Sequence, residues 1–433
     1  MNARMRIEGT NQVGNEPSAM DEIVAEFGRW VKGVADGFSD LHDETDVQRL
    51  EEEIRTGGQK ILLRMMQGLV QQAVNANQEP SRICPDCKER RRHQGVRGRK
   101  LSVSLGELEV TGIYWRCPSC GLCEHSAEGI APETMSRLFR GLVCMTGAAL
   151  SSFHKGQIVL RKLLGVSVDD ETIRRRCQSE GWALTREADA PPVPVNEQEQ
   201  LTGSSDGTMV HTREGGWREV KAYRFEHANG RYGGAYLEPV DKFAPRVKAA
   251  ADRVGQKRTQ NKVFLSDMAE WIKQMVAQRL PGWIHIADLW HARQHVHGAA
   301  EKIYGVGSIK AAKWSGYWSR RLRIYGASVL ADKLRRIVMC YRRPEQQEGV
   351  LVLIRFLEKH AANMDYPRFE AMGLPISSGP MESFCKQIGL RMKGPGMHWS
   401  AKNVTPMGML VSRWSMDPEN ASVFGAIGPP PAA

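Results

Sequence analysis

The chain has 433 residues, enough for about two to four domains of ordinary size and a sizeable hydrophobic core. It carries 60 basic against 49 acidic side chains, and the resulting net charge of +11 favours a polyanionic partner such as nucleic acid. Residues 1–17 lack the apolar segment of a secretion signal, and no apolar run approaches the roughly 20 residues that cross a bilayer, so we expect a cytoplasmic protein associated with the nucleoid.

The N-terminal region, residues 1–80, is predicted to be helical after a disordered start. Two helices are expected, over about 20–37 and 44–78, with Gly57 and Gly58 breaking the second. The second helix carries apolar residues at helical spacing, namely Val47, Leu50, Ile54, Ile61, Leu62, Met65, Met66 and Leu69. Packing within the monomer and dimerisation both fit so short a pattern, and we expect a homodimer or higher homo-oligomer on DNA.

Residues 81–128 contain two Cys-x-x-Cys pairs, joined by a segment that alternates like a β-hairpin. The four cysteines are Cys84, Cys87, Cys117 and Cys120. Zinc takes four soft ligands in a tetrahedron, and two such pairs joined by a hairpin supply them, so we predict a zinc ribbon with one structural Zn²⁺. Cys123 and His125 follow the second pair, and either stays open as a substitute ligand.

The segment between the two cysteine pairs is strongly basic and is predicted to be a loop that contacts DNA phosphates. Its cations are Lys88, Arg90, Arg91, Arg92, Arg97, Arg99 and Lys100. A solvated charged face is the alternative interpretation.

Residues 129–187 are predicted to be helical and to contain a helix-turn-helix. Helices at 157–164 and 170–180 flank a short turn, with Ser167 or Asp169 as the cap of the second helix. This second helix presents polar and basic side chains that we expect in the major groove of DNA: Thr172, Arg174, Arg175 and Arg176. An ordinary pair of packed helices is the alternative. A proline-rich linker at 188–200 marks the main domain boundary.

The remainder of the chain changes to mixed strands and helices, which makes the whole a multidomain α+β protein. Residues 201–291 show three strands, a helix, a strand, a helix and a strand, the order of an RNase H-like α/β core. Residues 292–372 are helical without a strand signal, residues 373–415 hold the last helix of the core, and residues 416–433 form a disordered tail.

Three carboxylates in this core are candidates for a two-metal site. Asp206 lies in the first strand, Asp267 ends the fourth, and Glu382 begins a helix after a Gly-Pro turn. In-line phosphodiester cleavage uses two divalent cations about 4 Å apart, held by clustered carboxylates. We therefore predict that these three residues bind two Mg²⁺ or Mn²⁺ ions.

Several short motifs resemble those of the ISKra-type insertion-sequence transposases, bacterial relatives of the Mutator-like DDE elements. They are Ser-Asp-Gly-Thr at 205–208, Leu-Ser-Asp-Met-Ala-Glu-Trp-Ile at 265–272, Asp-Leu-Trp-His at 288–291, Ser-Gly-Pro-Met-Glu-Ser-Phe-Cys at 378–385, and Arg-Met-Lys-Gly-Pro-Gly-Met-His-Trp at 391–399. The likeness runs from the zinc ribbon to about residue 415.

This resemblance implies a catalytic triad of Asp206, Asp267 and Glu382, and an auxiliary signature at Asp288 and His291. It also implies that the helical segment 292–372 is a domain inserted into the core. Met268 departs from the family, whose members usually have glycine after the second Asp.

Other residues of this half are predicted to bind DNA. One helical face of the insertion interleaves aromatic and basic side chains, which suit stacking on distorted bases, although such stripes are more often core. Its residues are Trp314, Trp318, Arg321 and Tyr325. Arg391, Lys393 and His398 follow Glu382 closely and are expected to bind phosphates.

The expected function is therefore that of a DNA transposase. It would bind double-stranded DNA at terminal inverted repeats, hydrolyse one strand at each end, and join the freed 3′-hydroxyl to target DNA. A catalytically silent zinc-ribbon and helix-turn-helix DNA-binding protein is one alternative, against which the intact set of carboxylates argues. A two-metal structure-specific nuclease is another, and it differs only in lacking strand transfer.

Overall fold

The computed structural model describes residues 19–76, 83–130, 132–187, 195–228 and 230–416. The predicted disordered start and tail lie outside these ranges, apart from Met416, and so does most of the predicted linker. The described residues contain thirteen α-helices and two sheets, which confirms a mixed α+β protein. None of the helices in these ranges has the length and apolar character that a bilayer span requires.

The described residues fall into two compact units. The first lies within residues 1–142 and 157–168, and the second within 143–156 and 169–433. The helices α3 (Arg137–Ala149) and α4 (Phe153–Leu164) are each divided between the units, whereas α5 (Asp170–Glu187) belongs to the second.

The first unit is a pair of helices with a three-stranded antiparallel sheet. Its elements are α1 (Ala19–Gly37), α2 (Glu44–Ala76), β1 (Arg92–Val103), β2 (Gly106–Arg116) and β3 (Cys123–His125). Apolar side chains of α2, including Leu63 and Met66, pack on the hairpin core of Leu101, Val103 and Leu108. One face of α2 is therefore used within the monomer.

The prediction that Gly57 and Gly58 break α2 is wrong, because the helix runs through both residues. A Cβ at Gly57 would lie only 2.4 Å from Nε1 of Trp30 on α1. Glycine here permits the indole of α1 to approach the α2 backbone, and this contact offsets the low helix propensity of glycine.

The second unit is built on a five-stranded mixed sheet. Its strands are β4 (Leu201–Thr212), β5 (Gly216–His227), β6 (Gly230–Tyr236), β7 (Lys262–Ser266) and β8 (Ile284–Ala287). They lie in the order β6-β5-β4-β7-β8, with β4, β5 and β6 antiparallel and with β7 and β8 parallel to β4. The predicted succession of strands is present, and the fourth strand of the core lies beside the first.

Helices cover this sheet and extend from it. They are α6 (Val240–Arg253), α7 (Glu270–Arg279), α8 (Leu289–Tyr304), α9 (Ile309–Ile337), α10 (Pro344–Lys359), α11 (Tyr366–Ala371), α12 (Gly379–Met392) and α13 (Ala401–Met416), with short 3-10 turns at Val338–Cys340 and Ala361–Asn363. Helices α8 to α11 form the predicted helical segment and share an apolar core. Helix α12 returns to pack on β4, and α13 packs on α5 and β6.

The compact units do not divide at the predicted linker 188–200. Val195 is buried and donates a backbone hydrogen bond to Val254 O (3.0 Å), so the chain has joined the second unit by residue 195. Helix α5 contacts the same unit through Gly181, where a Cβ would meet Pro406 O of α13 at 2.1 Å.

Candidate functional site

The four predicted cysteines come together at one end of the hairpin. The Sγ atoms of Cys84, Cys87, Cys117 and Cys120 all lie within 4.8 Å of one another, an arrangement that could hold a metal ion. The two pairs form equivalent turns, in which the N–H of the residue four positions after the first cysteine donates to that cysteine's carbonyl: Lys88 N to Cys84 O (3.0 Å) and Gly121 N to Cys117 O (3.1 Å). Four thiolates in such turns form a typical structural zinc site.

Backbone N–H groups in these turns point at the first sulfur of each pair. The N–H of Cys120 lowers the pKa of the Cys117 thiol to about 6, and the N–H of Cys87 lowers the pKa of Cys84. These N–H groups favour the thiolate, the form that binds metal, at the first cysteine of each pair. At Cys87 and Cys120 backbone N–H groups also act to lower the pKa, but hydrogen bonds with the other thiols of the group raise it overall.

The two open substitutes for a zinc ligand lie elsewhere. His125 Nε2 is hydrogen-bonded to Arg97 O (3.0 Å), and its Nδ1 accepts from Ala127 N (3.1 Å), so both ring nitrogens are occupied. The Cys123 thiol donates to Gly121 O (3.4 Å). In the described residues, the metal-ligating group comprises the four predicted cysteines alone.

The segment predicted to be a basic loop is largely strand β1, and several of its cations have protein partners. Arg91 is buried and paired with Glu124, the Arg97 guanidinium lies 4.1 Å from the centre of the Tyr114 ring, and Arg99 donates to Pro132 O (2.7 Å). The phosphate-binding prediction is wrong for buried Arg91. Arg90 and Arg92 are exposed and stay candidates.

Asp206 occupies the middle of β4 and is partly buried, with Oδ1 accepting from Gly207 N (2.7 Å). Burial raises the pKa of its carboxyl, and the negative charge of nearby Asp267 raises it further, whereas His291 lowers it. The structure thus brings two predicted ligands and one auxiliary residue into electrostatic contact.

Asp267 follows the last residue of β7, and its Oδ1 accepts from Ala269 N (2.8 Å). The next residue, Met268, has a φ of 68°, in the left-handed region that glycine adopts without strain. The position where the resembling family has glycine therefore has the backbone that favours glycine. Met268 is nonetheless accommodated, because its side chain is buried in the apolar core of the helical segment.

Glu382 lies in the first turn of α12 and is exposed. The side chain of α12 that interacts with Asp206 is Cys385, one helical turn later: burial raises the pKa of its thiol, and the charge of the Asp206 carboxylate raises it further. Residues three apart lie on the same helical face, so Glu382 lies one turn before Cys385 on the face that approaches Asp206. The three carboxylates do not form a group as close as that of the cysteines.

Asp288 is buried and has two structural hydrogen bonds. Its Oδ1 caps α8 by accepting from His291 N (3.0 Å), and its Oδ2 accepts from Ser378 N, just before α12. Asp288 is therefore a helix N-cap, and the same side chain also holds the start of α12.

Sequence reasoning missed two residues of this cluster, His295 and Cys385. His295 lies one turn after His291 on α8, and its spacing to that histidine was the available signal. Burial lowers the pKa of His295, the charge of His291 lowers it further, and Asp267 raises it. For Cys385, the only signal was its spacing from Glu382.

The predicted recognition helix α5 begins as expected. Asp169 Oδ1 accepts from Thr172 N (2.7 Å), so Asp169 rather than Ser167 caps it. Arg174 donates to Glu171 (2.6 Å) and Gln178 (2.8 Å), and Arg176 is partly buried, whereas 66% of the Arg175 side chain is exposed. Arg175 is thus the most accessible of the three arginines.

The aromatic stripe on α9 is mainly core. Trp318 is buried, and Trp314 packs on the same core and donates from Nε1 to the Tyr341 hydroxyl (2.8 Å). The base-stacking prediction is wrong for Trp318, because its ring is covered. Tyr317 is exposed instead, with the Arg321 guanidinium 3.3 Å from its ring centre.

The two cations that follow Glu382 differ. Arg391 is buried, so the prediction of a surface phosphate binder needs correction, whereas Lys393 is exposed and its charge acts on Cys385. Lys393 is therefore close to the group formed by Asp206, Asp267, His291, His295 and Cys385, which we call the acidic cluster.

No protein family model matches the chain, and no curated protein matches its sequence. The resemblance to insertion-sequence transposases accordingly rests on the short motifs around Asp206, Asp267 and Glu382.

Proposed function

We propose that the protein is a DNA transposase with an RNase H-like core and a two-metal site at Asp206, Asp267 and Glu382. The observation that carries this proposal is the placement of Asp206 in β4 and of Asp267 directly after the adjacent parallel strand β7, with α12 packed on β4. The strand order, three antiparallel strands followed by two parallel ones, is that expected for such a core.

The chemistry of these residues suits Mg²⁺ or Mn²⁺. Carboxylate oxygens are hard ligands, and two like charges in a partly buried position repel each other unless a cation lies between them. The raised pKa of Asp206 reflects burial and this repulsion. Bound divalent cations would activate the attacking oxygen and stabilise the leaving one.

In this proposal, the chain's own residues orient the reaction. Asp206 and Asp267 would hold the cations, and Glu382 would complete the site from the first turn of α12. Asp288 positions that turn through Ser378. Lys393 lies near enough to neutralise a phosphate at the cluster.

We further propose that the first unit and α5 bind the element ends as double-stranded DNA. The cysteine site would stabilise the hairpin with a Zn²⁺ ion, and exposed Arg90, Arg92 and Arg175 would contact phosphates. These three are among the predicted contacts that have the accessibility that DNA binding needs.

The test is cleavage of a supercoiled plasmid carrying the DNA that flanks the gene, in Mg²⁺ and in Mn²⁺. Asp206→Asn, Asp267→Asn and Glu382→Gln should each lower cleavage by more than about 100-fold, beyond the loss typical of an outer-shell residue, while binding of the same DNA is unchanged. Asp241→Asn, an exposed carboxylate on α6, is the matched control and should cleave as the wild type does.

Three results would change the proposal. If Asp267→Asn were fully active and Asp288→Asn inactive, the second metal ligand would be Asp288, after β8, rather than Asp267, after β7. Cleavage without joining to a target plasmid would favour the nuclease. Binding without any cleavage would favour a silent DNA-binding protein.

A further inference from the structure

A basic cleft lies in the second unit, lined by residues other than those of the acidic cluster. It has a volume of about 750 Å³ and is lined by parts of α4, α5, the turn after β4, the end of α12 and the loop into α13. Its charged side chains, apart from histidine, are four cations and one carboxylate: Arg174, Arg213, Arg391, Lys402 and Glu171. The cleft thus has an excess of positive charge.

Arg391 supplies the buried part of this cleft. Only 3% of the residue is exposed, and its Nε donates to Gly147 O (2.6 Å). The guanidinium lies 4.4 Å from the ring centre of Phe153 and 5.2 Å from that of Trp399, so two aromatic rings hold it in place.

The Nη2 group of Arg391 is buried without a hydrogen-bond partner. Buried polar groups are nearly always paired, so the unpaired donor leaves the charge of this guanidinium poorly compensated, which favours an anion in the adjoining cleft. Burial lowers the pKa of Arg391 to about 10, so the group keeps its charge at neutral pH.

The cleft also has two more open cations, Arg213 and Lys402. Hydrogen bonds from Ala401 and Ser400 lower the pKa of Glu214, and the charge of Arg213 is among the further causes that lower it. Arg213 is exposed, and its Nε donates to His398 O (3.1 Å), a neutral acceptor. Lys402 is exposed in the first turn of α13. The N-terminus of α13 already has an acceptor in Glu214, which is bonded to Ala401 N (2.8 Å), so anion binding here would depend on the side chains.

The cleft also offers a flat surface for a base. The exposed His398 ring lies 4.3 Å from that of His211, and together with Met397 it borders the same space. Ring surfaces beside cations are what proteins use to bind unpaired nucleotides.

We propose that this cleft binds the phosphodiester backbone of a single DNA strand. Its volume is that of a small-molecule site, which admits about one or two nucleotides of a strand but not a duplex. Exposed Arg213 and Lys402 would contact adjacent phosphates, and the buried charge of Arg391 would attract them from beneath. The choice of DNA rests on the proposed function, because cleavage of one strand leaves a free 3′-hydroxyl end that must be held until it is joined to target DNA.

The test measures binding of a short fluorescein-labelled oligothymidylate by anisotropy over a range of salt concentrations, without divalent cations or chelators. The double variant Arg213→Ala/Lys402→Ala should bind more weakly, and the slope of log affinity against log salt should fall by about 1.4, or about 0.7 per lost contact. Lys242→Ala/Lys257→Ala removes the same charge from exposed positions outside the cleft and should leave the slope unchanged.

Several outcomes would overturn the inference. If the salt slope of Arg213→Ala/Lys402→Ala equalled that of the wild type, the cleft would not be the binding site. If Lys242→Ala/Lys257→Ala changed the slope by the same amount, the effect would be one of net charge only. An equal loss of affinity for a duplex of the same length would contradict single-strand binding. Since cleavage is not involved, an inactive wild-type enzyme would refute the proposed function without altering this result.

Discussion

Asp288 offers a sharp test of how the acidic cluster is assembled. Its carboxylate caps α8 through His291 N (3.0 Å) and also accepts from Ser378 N, which precedes α12. Asp288→Ala removes both acceptors at once. We therefore expect this variant to lose more stability than the loss of a helix cap explains.

The magnitude follows from the two bonds. Losing an N-cap costs about 1 kcal/mol. Leaving the N–H of Ser378 without a partner adds about 1–3 kcal/mol, because this residue is buried. The free energy of unfolding of the second unit should thus fall by about 2–4 kcal/mol.

Ser308→Ala is the matched control, since Ser308 caps α9 by accepting from Ala311 N (3.1 Å) and has no second role among its described contacts. It should cost about 1 kcal/mol. Urea denaturation gives the difference, and hydrogen exchange should show faster exchange in α12 for Asp288→Ala only. Cleavage should fall about 10- to 100-fold, as for a residue that orients ligands. Equal losses in both variants would refute the idea that Asp288 holds α12.

Three further outcomes are expected. Cys84→Ser should remove the bound zinc, measured by elemental analysis, and destabilise the hairpin; an unchanged zinc content would contradict the four-cysteine site. Met268→Gly should relieve about 1 kcal/mol of backbone strain, but loss of the buried side chain should cost about 2–5 kcal/mol of stability. Urea denaturation should therefore show a net loss of stability, and a stabilised variant would refute this balance. Trp318→Ala should cost about 3–5 kcal/mol and Tyr317→Ala less than about 0.5 kcal/mol in the same assay, and the opposite order would contradict their burial.

Features that depend on local sequence pattern could be predicted. The cysteine pairs define their own turns, so spacing alone placed all four sulfurs. The order of strands follows from alternation of apolar residues, and a parallel fourth strand beside the first brings Asp206 and Asp267 together. These two inferences need no knowledge of distant packing.

Features that depend on tertiary partners could not be predicted. Arg91 stands in a run of basic residues that is typical of an exposed segment, yet Glu124 in β3 pairs with it in a buried position. Gly57 has a low helix propensity, yet Trp30 packs against it. In both cases the deciding partner is remote in sequence, and pattern analysis considers only neighbours.

The placement of α12 shows how a long helical excursion is compatible with a compact site. Leaving β8, the chain passes through α8 to α11 and returns within hydrogen-bond distance of its departure point: Leu289 N donates to Ile376 O (2.9 Å), and the Tyr366 hydroxyl donates to Ala287 O (3.1 Å). With the Asp288 bond to Ser378, these contacts close the excursion at its base. The cost of closing a flexible loop grows slowly with its length, and a closed base makes the position of α12 depend little on what lies between. The start of α12, and with it Glu382, is thus positioned by a few contacts at the end of β8. Asp288 makes its hydrogen bonds to backbone N–H groups only, yet through Ser378 it fixes where Glu382 lies.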